Sequence, residues 1–187
     1  LEGGLVNPSS GTFNSGETWT TQPNQSTAEL YQVEVDDQYP YWLYAGQQDN
    51  TTISLPSVPP YNSPSGGLGF WTAVGGCETG PAVPKPGNPN IVYANCKGRF
   101  GVFNKLTGQE KQYYVGAANI YGHNPRDMKF RFQRVAPIHV SPHNPNLVYH
   151  GSQFLHQTTN DGESWKIISP DLTAFSPDRQ VISGGPI

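Results

Sequence analysis

Two carboxylates in predicted loops, Asp49 and Glu78, are the residues of this sequence best suited to hydrolytic chemistry. Glycoside hydrolysis needs two carboxyl groups roughly 5–10 Å apart, one acting as acid and the other as base or nucleophile. Trp42 and Trp71 are candidates for stacking on a sugar ring. The alternative is that both carboxylates cap their loops by accepting hydrogen bonds from backbone N–H groups. Both interpretations remain open, because a chain with 14 acidic residues often brings two together.

A second set of polar side chains is predicted to bind a ligand beside these carboxylates, because all of them fall in loops expected at one end of the strands. The set consists of Gln47, Gln48, Arg99, Arg131, Arg134 and Gln153. Two of its arginines belong to a basic stretch, residues 126–134, in which charged residues alternate with Met128, Phe130 and Phe132. This stretch could bind an acidic glycan or peptide, or it could be a strand with one solvated face.

The histidines do not predict a metal site, and no cofactor is expected. On strands and turns, a spacing of four residues does not bring two ligands to one face as it does on a helix. His139, His143, His150 and His156 are therefore interpreted as solvated or turn residues.

The two cysteines, Cys77 and Cys96, are predicted to form a disulfide. They lie at the start of one predicted strand and the end of the next, which antiparallel pairing brings side by side. The bridge would enclose 18 residues, and in the chain-entropy model it would contribute about 3 kcal/mol. The alternative is a pair of buried free thiols.

Composition indicates an all-β chain. The 187 residues include 21 Gly and 18 Pro, with 12% aromatic and 13% charged residues. Such a mixture favours many short strands joined by tight turns. No basic run predicts nucleic-acid binding, and no apolar stretch is long enough for a membrane span. Few lysines, many Asn, Thr and Tyr residues and the possible disulfide favour an extracellular or cell-surface location.

Three segments repeat one pattern, in which a strand, a turn and a second strand ending in an aromatic residue follow one another. The aromatic residues are Tyr44, Tyr93 and Tyr149, separated by 49 and 56 residues. A turn is expected at Asn88-Pro89 and again at Asn144-Pro145, because Asn-Pro pairs start turns. A unit of this length containing several short strands is the period of a propeller blade.

A more specific repeat occurs at residues 12–19 and 158–165. Gly16 and Gly162 can adopt positive φ in a hairpin turn, and the short amide side chains of Asn14 and Asn160 can bind the turn backbone. Each copy ends in a tryptophan, Trp19 or Trp165, which is expected to pack between neighbouring sheets. Both copies resemble the Asp box of sialidases, sortilin and related β-propellers, although Asn stands where that motif has Asp.

Nearly the whole chain resembles a family of large secreted bacterial proteins with Asp-box (BNR) repeats, described as glycosyl hydrolase-like or sortilin-like. This resemblance implies a partial β-propeller of about three four-stranded antiparallel blades plus a half blade, part of a larger propeller. The implied units are an outer half blade at 1–20, blades at 30–75, 79–116 and 135–169, and a tail at 170–187 that leads into a further blade. The remaining blades would come from elsewhere in the polypeptide or from a partner chain.

Two functions follow as expectations from this resemblance. The first is a noncatalytic extracellular scaffold or binding module for protein or polysaccharide. The second is a glycoside hydrolase, similar to propeller xyloglucanases, with part of its cleft on this chain. Sialidase activity is not expected, because no arginine motif of the sialidase type accompanies the boxes.

Overall fold

The computed structural model describes residues 10–11, 17, 20–21, 28–58, 70–115 and 122–182. The prediction of an all-β chain is confirmed. Apart from short 3-10 turns such as Pro125–Asp127 and Pro177–Arg179, the regular structure in these ranges consists of antiparallel strands. None of the helices in the described ranges has the length and apolar character needed to cross a membrane.

Three larger sheets follow one another along the chain, after a short pairing of β1 (Ser10–Gly11) with β2 (Thr20–Thr21). The first sheet contains β3 (Leu30–Val35), β4 (Trp42–Gln47) and β5 (Thr52–Pro56). The second contains β6 (Ala82–Lys85), β7 (Asn88–Cys96), β8 (Arg99–Asn104) and β9 (Gln109–Tyr114). The third contains β10 (Ile138–Val140), β11 (Val148–Gly151), β12 (Leu155–Thr158) and β13 (Lys166–Ile167). In each sheet, strands adjacent in sequence are hydrogen-bonded neighbours.

The first sheet differs from the predicted four-stranded blade. Its outer strand is reduced to one bridge between Ser54 and Thr72. Beyond that bridge, the side chain of Thr52 replaces the backbone ladder. Its hydroxyl donates to the carbonyl of Gly75 and accepts from the N–H of Val74, at 2.7 and 3.0 Å.

The turn expected at Asn88-Pro89 lies two residues earlier. Pro86 and Gly87 form the turn, and Asn88 already belongs to β7. Gly87 has a φ of +73°, which a glycine adopts without strain. Its N–H donates to the carboxylate of Asp37 at 2.9 Å. The glycine therefore determines the position of this turn more strongly than the Asn-Pro pair does.

The sheets pack face to face through two apolar clusters. Between the first and second sheets lies a small cluster of Tyr44, Val74, Ala82 and Val92, with Trp42 and Phe103 packed against it. Between the second and third sheets lies a larger cluster that includes Tyr93, Phe100, Phe132, Ile138 and Val148. In each of the first two sheets, a tyrosine of the second strand points to the next sheet: Tyr44 to the second and Tyr93 to the third.

Residues after the third sheet return to its loops. The N–H of Leu172 donates to the carbonyl of Gln153 at 2.8 Å, and the N–H of Ile182 donates to the Asn124 side chain at 2.9 Å. The predicted tail therefore packs on this chain at least as far as residue 182.

Candidate functional site

Five of the predicted site residues or their loop neighbours meet at one end of the first and second sheets. They are Gln48, Asp49, Glu78, Lys97 and Arg134, called here the Glu78 cluster. The Glu78 Oε1 atom lies 2.7 Å from the Arg134 guanidinium and 3.5 Å from the Lys97 ammonium. The Oε2 atom accepts the backbone N–H of Asp49 at 3.0 Å.

Two tight turns present the cluster. Lys97 and Gly98 join β7 to β8 with φ values of +55° and +94°, as in a two-residue hairpin turn with two left-handed positions. Asp49, in the turn between β4 and β5, has a φ of +56°. Asn and Asp tolerate this conformation better than most residues, so Asp49 has a local structural role in addition to its charge.

Asn95 is a positioning residue that sequence reasoning did not identify. It is fully buried. Its amide group donates to the carbonyls of Gly80 and Arg134, at 2.5 and 3.1 Å, and its Oδ1 accepts the N–H of Gly98 at 2.9 Å. One side chain thus holds the backbones on both sides of Glu78. The sequence did contain a signal for this role, since Asn95 is a polar residue near the end of an apolar strand, just before Cys96. A buried amide at such a position requires several hydrogen-bond partners.

The structure joins Cys77 and Cys96 in the disulfide that the sequence predicted, with their Cα atoms 5.1 Å apart. Glu78 and Lys97 follow these cysteines directly in the chain. The bridge therefore ties the backbones that carry the acid and the base of the cluster.

Close backbone packing brings the first sheet against this loop. A Cβ atom at Gly46 would lie 2.5 Å from the carbonyl oxygen of Glu78 and 2.6 Å from the nitrogen of Gly80. Both contacts involve backbone atoms, which cannot rotate away. Glycine at position 46 is thus needed for the approach of β4 to Glu78.

The electrostatics of the cluster keep Glu78 ionised. Partial burial raises the pKa of Glu78, but the hydrogen bonds from Arg134 and Asp49 and the nearby charges of Arg134 and Lys97 outweigh it, so the pKa is lowered. A general acid needs a raised pKa instead. Glu78 accepts the Asp49 N–H, as the loop-capping interpretation expects, whereas the Asp49 carboxylate accepts from the Gln48 side-chain amide at 2.7 Å.

Aromatic and amide groups border the cluster on one side. The Arg134 guanidinium lies 5.7 Å from the centroid of the Tyr31 ring, and the Tyr31 hydroxyl donates to the Gln48 side chain. The Arg134 side chain is 43% exposed. Arg134 and Gln48 are therefore the predicted ligand-binding residues that present polar groups at this surface.

Arg131 and Gln153, two other predicted ligand-binding residues, instead stabilise the tail. Arg131 pairs with Asp171 at 2.8 Å, donates to Thr173 and stacks on Phe175. Hydrogen bonds from Thr173 and then from Arg131 lower the pKa of Asp171 to about 2. The Gln153 side chain is 3% exposed and bonds the backbone at residues 129 and 131. Gln153, predicted to contact ligand, therefore has a structural role in which its amide group is used by backbone groups.

Gln47, Arg99 and Trp42 are less accessible than a ligand-binding role requires. Gln47 is buried, and its amide donates to the carbonyl of Thr51. Arg99 is half-buried, with an Nε atom that has no hydrogen-bond partner in the described ranges. Trp42 lies between sheets with the Lys105 ammonium 4.4 Å from its ring centroid. Of the two proposed sugar platforms, only Trp71 is exposed.

The interpretation of the histidines as solvated is wrong for His150 and His156. Both are buried, and both rings stack on Phe132 at 4.9 and 5.7 Å. His150 bonds the carbonyls of Pro137 and Gly98, while His156 bonds the Ser152 hydroxyl. Burial lowers the pKa of both rings, that of His156 to about 4. They are neutral core residues, whereas His139 and His143 are exposed.

The basic stretch is not a strand. Phe130 and Phe132 are buried while Lys129 and Arg134 are exposed, so the alternation holds, but the backbone around them is irregular. The two phenylalanines insert between the second and third sheets. The stretch contributes to the interface between sheets, and its charges do not form one basic surface.

The turn at residues 158–164 has the structure expected of the repeated motif. Asn160 Oδ1 accepts from the Thr158 hydroxyl and the Ser164 N–H, at 2.9 and 3.0 Å, and Gly162 has a φ of +92°. Trp165 packs on Phe100 of the second sheet, with ring centroids 4.9 Å apart. The other copy, with Asn14, Gly16 and Trp19, lies outside the described residues.

Comparison of the sequence with models of known protein families and with curated proteins gives no match. In the geometry of the Glu78 cluster one ionised carboxylate lies between two cations, and one of them, the exposed Arg134, also lies on an aromatic ring.

Proposed function

We propose that this chain is part of an extracellular β-propeller that serves as a noncatalytic scaffold or binding module for protein or polysaccharide. The observation that carries the noncatalytic assignment is the state of Glu78. Its carboxylate is occupied by Arg134, Lys97 and the Asp49 N–H, and its pKa is lowered. An ionised carboxylate that two cations and a backbone N–H engage is unsuited to act as the general acid of a carboxyl pair.

The propeller assignment is supported by repetition of both sheet and interface. Three antiparallel meanders stack face to face, and the tyrosines at equivalent positions of β4 and β7 each pack on the following sheet. The turn at 158–164 and Trp165 bridge two sheets as the Asp-box resemblance implies.

The outer faces of the first and third sheets support the expectation that further sheets pack there. Val33 and Val35 are 50% and 54% exposed on the first sheet, and Ile168 is 40% exposed beside the third. Apolar side chains on an open sheet face are usually covered by another element. We assign that role to further blades, from this polypeptide or from a partner chain.

Glycoside hydrolysis is the second candidate, because Asp49 and Glu78 do lie side by side. Turnover and binding distinguish the two functions. Hydrolysis of β-glucan and xyloglucan should be assayed with four proteins: the wild-type chain, Glu78→Gln, Asp49→Asn and Arg134→Ala. The same proteins should be tested for retardation in gels that contain each polysaccharide or an acidic one.

A binding module should show no turnover by any of the four proteins. At least one polysaccharide should also retard the wild-type chain. The Arg134→Ala variant should be retarded less, because it lacks the exposed cation of the cluster. The charge-matched control is Lys166→Ala, which removes an exposed cation from the outer strand of the third sheet and should leave retardation unchanged. Hydrolysis by the wild-type chain that both carboxylate variants abolish would instead establish the glycosidase.

A further inference from the structure

A cleft of about 540 Å³ opens between the second and third sheets, at the opposite end of β7 from the Glu78 cluster. Its apolar lining comes from Ile91, Val102 and Tyr113 of the second sheet. Val102 is paired with Tyr93, and Tyr93 points to the third sheet, so Val102 shares that face. The turn of the third sheet, around Asn160, closes the other side.

The other interface explains why a cleft exists here. Two residues before Tyr44, the first sheet carries Trp42, whose indole lies beneath Lys105 of the second sheet. Two residues before Tyr93, the second sheet carries Ile91. The smaller aliphatic side chain leaves open a space that an indole and a lysine stem occupy in the first interface.

Hydrogen-bond donors and acceptors both line the cleft, beside the apolar residues Ile91, Val102 and Tyr113. The second sheet and its hairpin contribute Asn104, Thr107, Gln109 and Lys111, and the third sheet contributes Asn160, Asp161 and Glu163.

The charges around the cleft balance. Asp161 pairs with Lys85 at 3.0 Å, and Lys111 lies 3.9 Å from Glu163. Two cations and two carboxylates leave no net charge for an ionic ligand to neutralise. The Lys111 and Glu163 side chains are 74% and 60% exposed, so their ion pair is weak and both can turn to a ligand.

We propose that this cleft binds a sugar unit of a neutral oligosaccharide. A pyranose ring has an apolar face of C–H groups, which fits Ile91, Val102 and Tyr113. Its hydroxyls both donate and accept, which matches the amide, ammonium and carboxylate groups of the rim. The volume lies within the roughly 300–1,000 Å³ of small-molecule sites. This proposal goes beyond the function proposed above, because it uses a separate surface and does not need the Glu78 cluster.

The test is a titration of the full chain with cellotetraose, xylotetraose and mannotetraose, each to about 10 mM, followed by amide chemical shifts in solution. At least one sugar should shift the amides of Val102, Lys111 and Asn160 in a saturable way. Ile91→Trp, which introduces the tryptophan found in the other interface, should weaken that binding by about tenfold or more. Val33→Trp, on the outer face of the first sheet, should leave it unchanged.

A second variant guards against misfolding of Ile91→Trp. The exposed double change Lys111→Ala and Glu163→Ala should weaken the same binding while the rest of the amide spectrum stays as in the wild type. The proposal is overturned if none of the sugars perturbs the cleft, if the perturbed amides surround Glu78 only, or if Ile91→Trp binds as the wild type does. The proposal would also be overturned if an uncharged acetylated tetrapeptide bound in the cleft and none of the three sugars did.

Discussion

The two interfaces between sheets use the same three chemical groups with opposite polarity. In the first, the Tyr44 hydroxyl donates to Asp36 of its own sheet at 2.8 Å and accepts from Lys105 of the next sheet at 3.1 Å. In the second, the Tyr93 hydroxyl donates to Asp161 of the next sheet. Asp161 pairs in turn with Lys85, which belongs to the sheet of Tyr93.

This reversal favours one order of the sheets. Asp36 follows Glu34, the partner of Tyr44, by two residues, and Lys85 follows Val83, the partner of Tyr93, by two residues. The acid and the base thus occupy equivalent places. If the third sheet packed on the first, Asp161 would meet Asp36, whereas the present order brings each acid to a base. Like charges at a contact disfavour the wrong partner.

The interfaces also differ in what fills them. The second contains Phe100, Phe132, Trp165 and the two buried histidines, with ring centroids 4.9–6.4 Å apart in the contacts among them. The first relies on Tyr44, on small aliphatic residues and on the stacking of Lys105 over Trp42. We therefore expect the second interface to be the more stable one at neutral pH.

Truncation of the interface tryptophans tests this expectation with the largest effect. Trp165→Ala should lower the free energy of unfolding by about 3 kcal/mol, the lower end of the range for large buried aromatics, because the Trp165 indole is half-buried. Trp42→Ala should cost about 1 kcal/mol less, because Trp165 has additional ring contacts. Urea denaturation of the full chain measures both. A cost below about 1 kcal/mol for Trp165→Ala would contradict its packing role.

The second interface contains the features that sequence reasoning predicted both best and worst. The turn around Asn160 and the packing of Trp165 follow from residues within eight positions of one another, so local pattern was sufficient. The burial of His150 depends on Phe132 and Gly98, which are distant in sequence. Its strand neighbours do not reveal these contacts.

The Glu78 cluster divides in the same way. The turn positions of Asp49 and Lys97 and the pairing of the cysteines could be predicted from alternation and turn residues. Lys97 as a partner of Glu78 follows from the disulfide, which places the two residues after the bridged cysteines side by side. Arg134 as a partner could not be predicted, because it reaches Glu78 across 56 positions from an irregular segment. The sequence also does not show that Gln47 is buried while the adjacent Gln48 reaches the surface, because strand register decides which of the two amides is buried.

Acid should weaken the second interface selectively. The pKa values of His150 and His156 are lowered in the folded chain, that of His156 to about 4 from an ordinary 6.5. Below pH 6.5 the unfolded chain binds more protons than the folded one, so stability falls as pH falls. For His156 the loss between pH 6.5 and 4 should reach about 3 kcal/mol.

Unfolding free energies measured from pH 7 to pH 5 isolate this effect, because most carboxylates titrate below that window. His156→Phe, which keeps an aromatic ring beside Phe132, should flatten the dependence. If the wild type and His156→Phe lose stability in parallel, the histidine is not the source of the acid sensitivity.

The smallest expected effect comes from exchanging the charges of the Lys85–Asp161 ion pair in the second interface. Asp161→Lys should cost about 1–2 kcal/mol, because it places a second ammonium beside Lys85 and removes the acceptor of the Tyr93 hydroxyl. Lys85→Asp alone should cost a similar amount.

Together the two changes give the second interface the polarity of the first, with the acid on the sheet of the tyrosine and the base on the next. The double variant should therefore recover at least half of the summed cost in a double-mutant cycle of unfolding free energies. Costs that simply add would mean that the charges do not interact across the interface, and that the order of the sheets is set by shape alone.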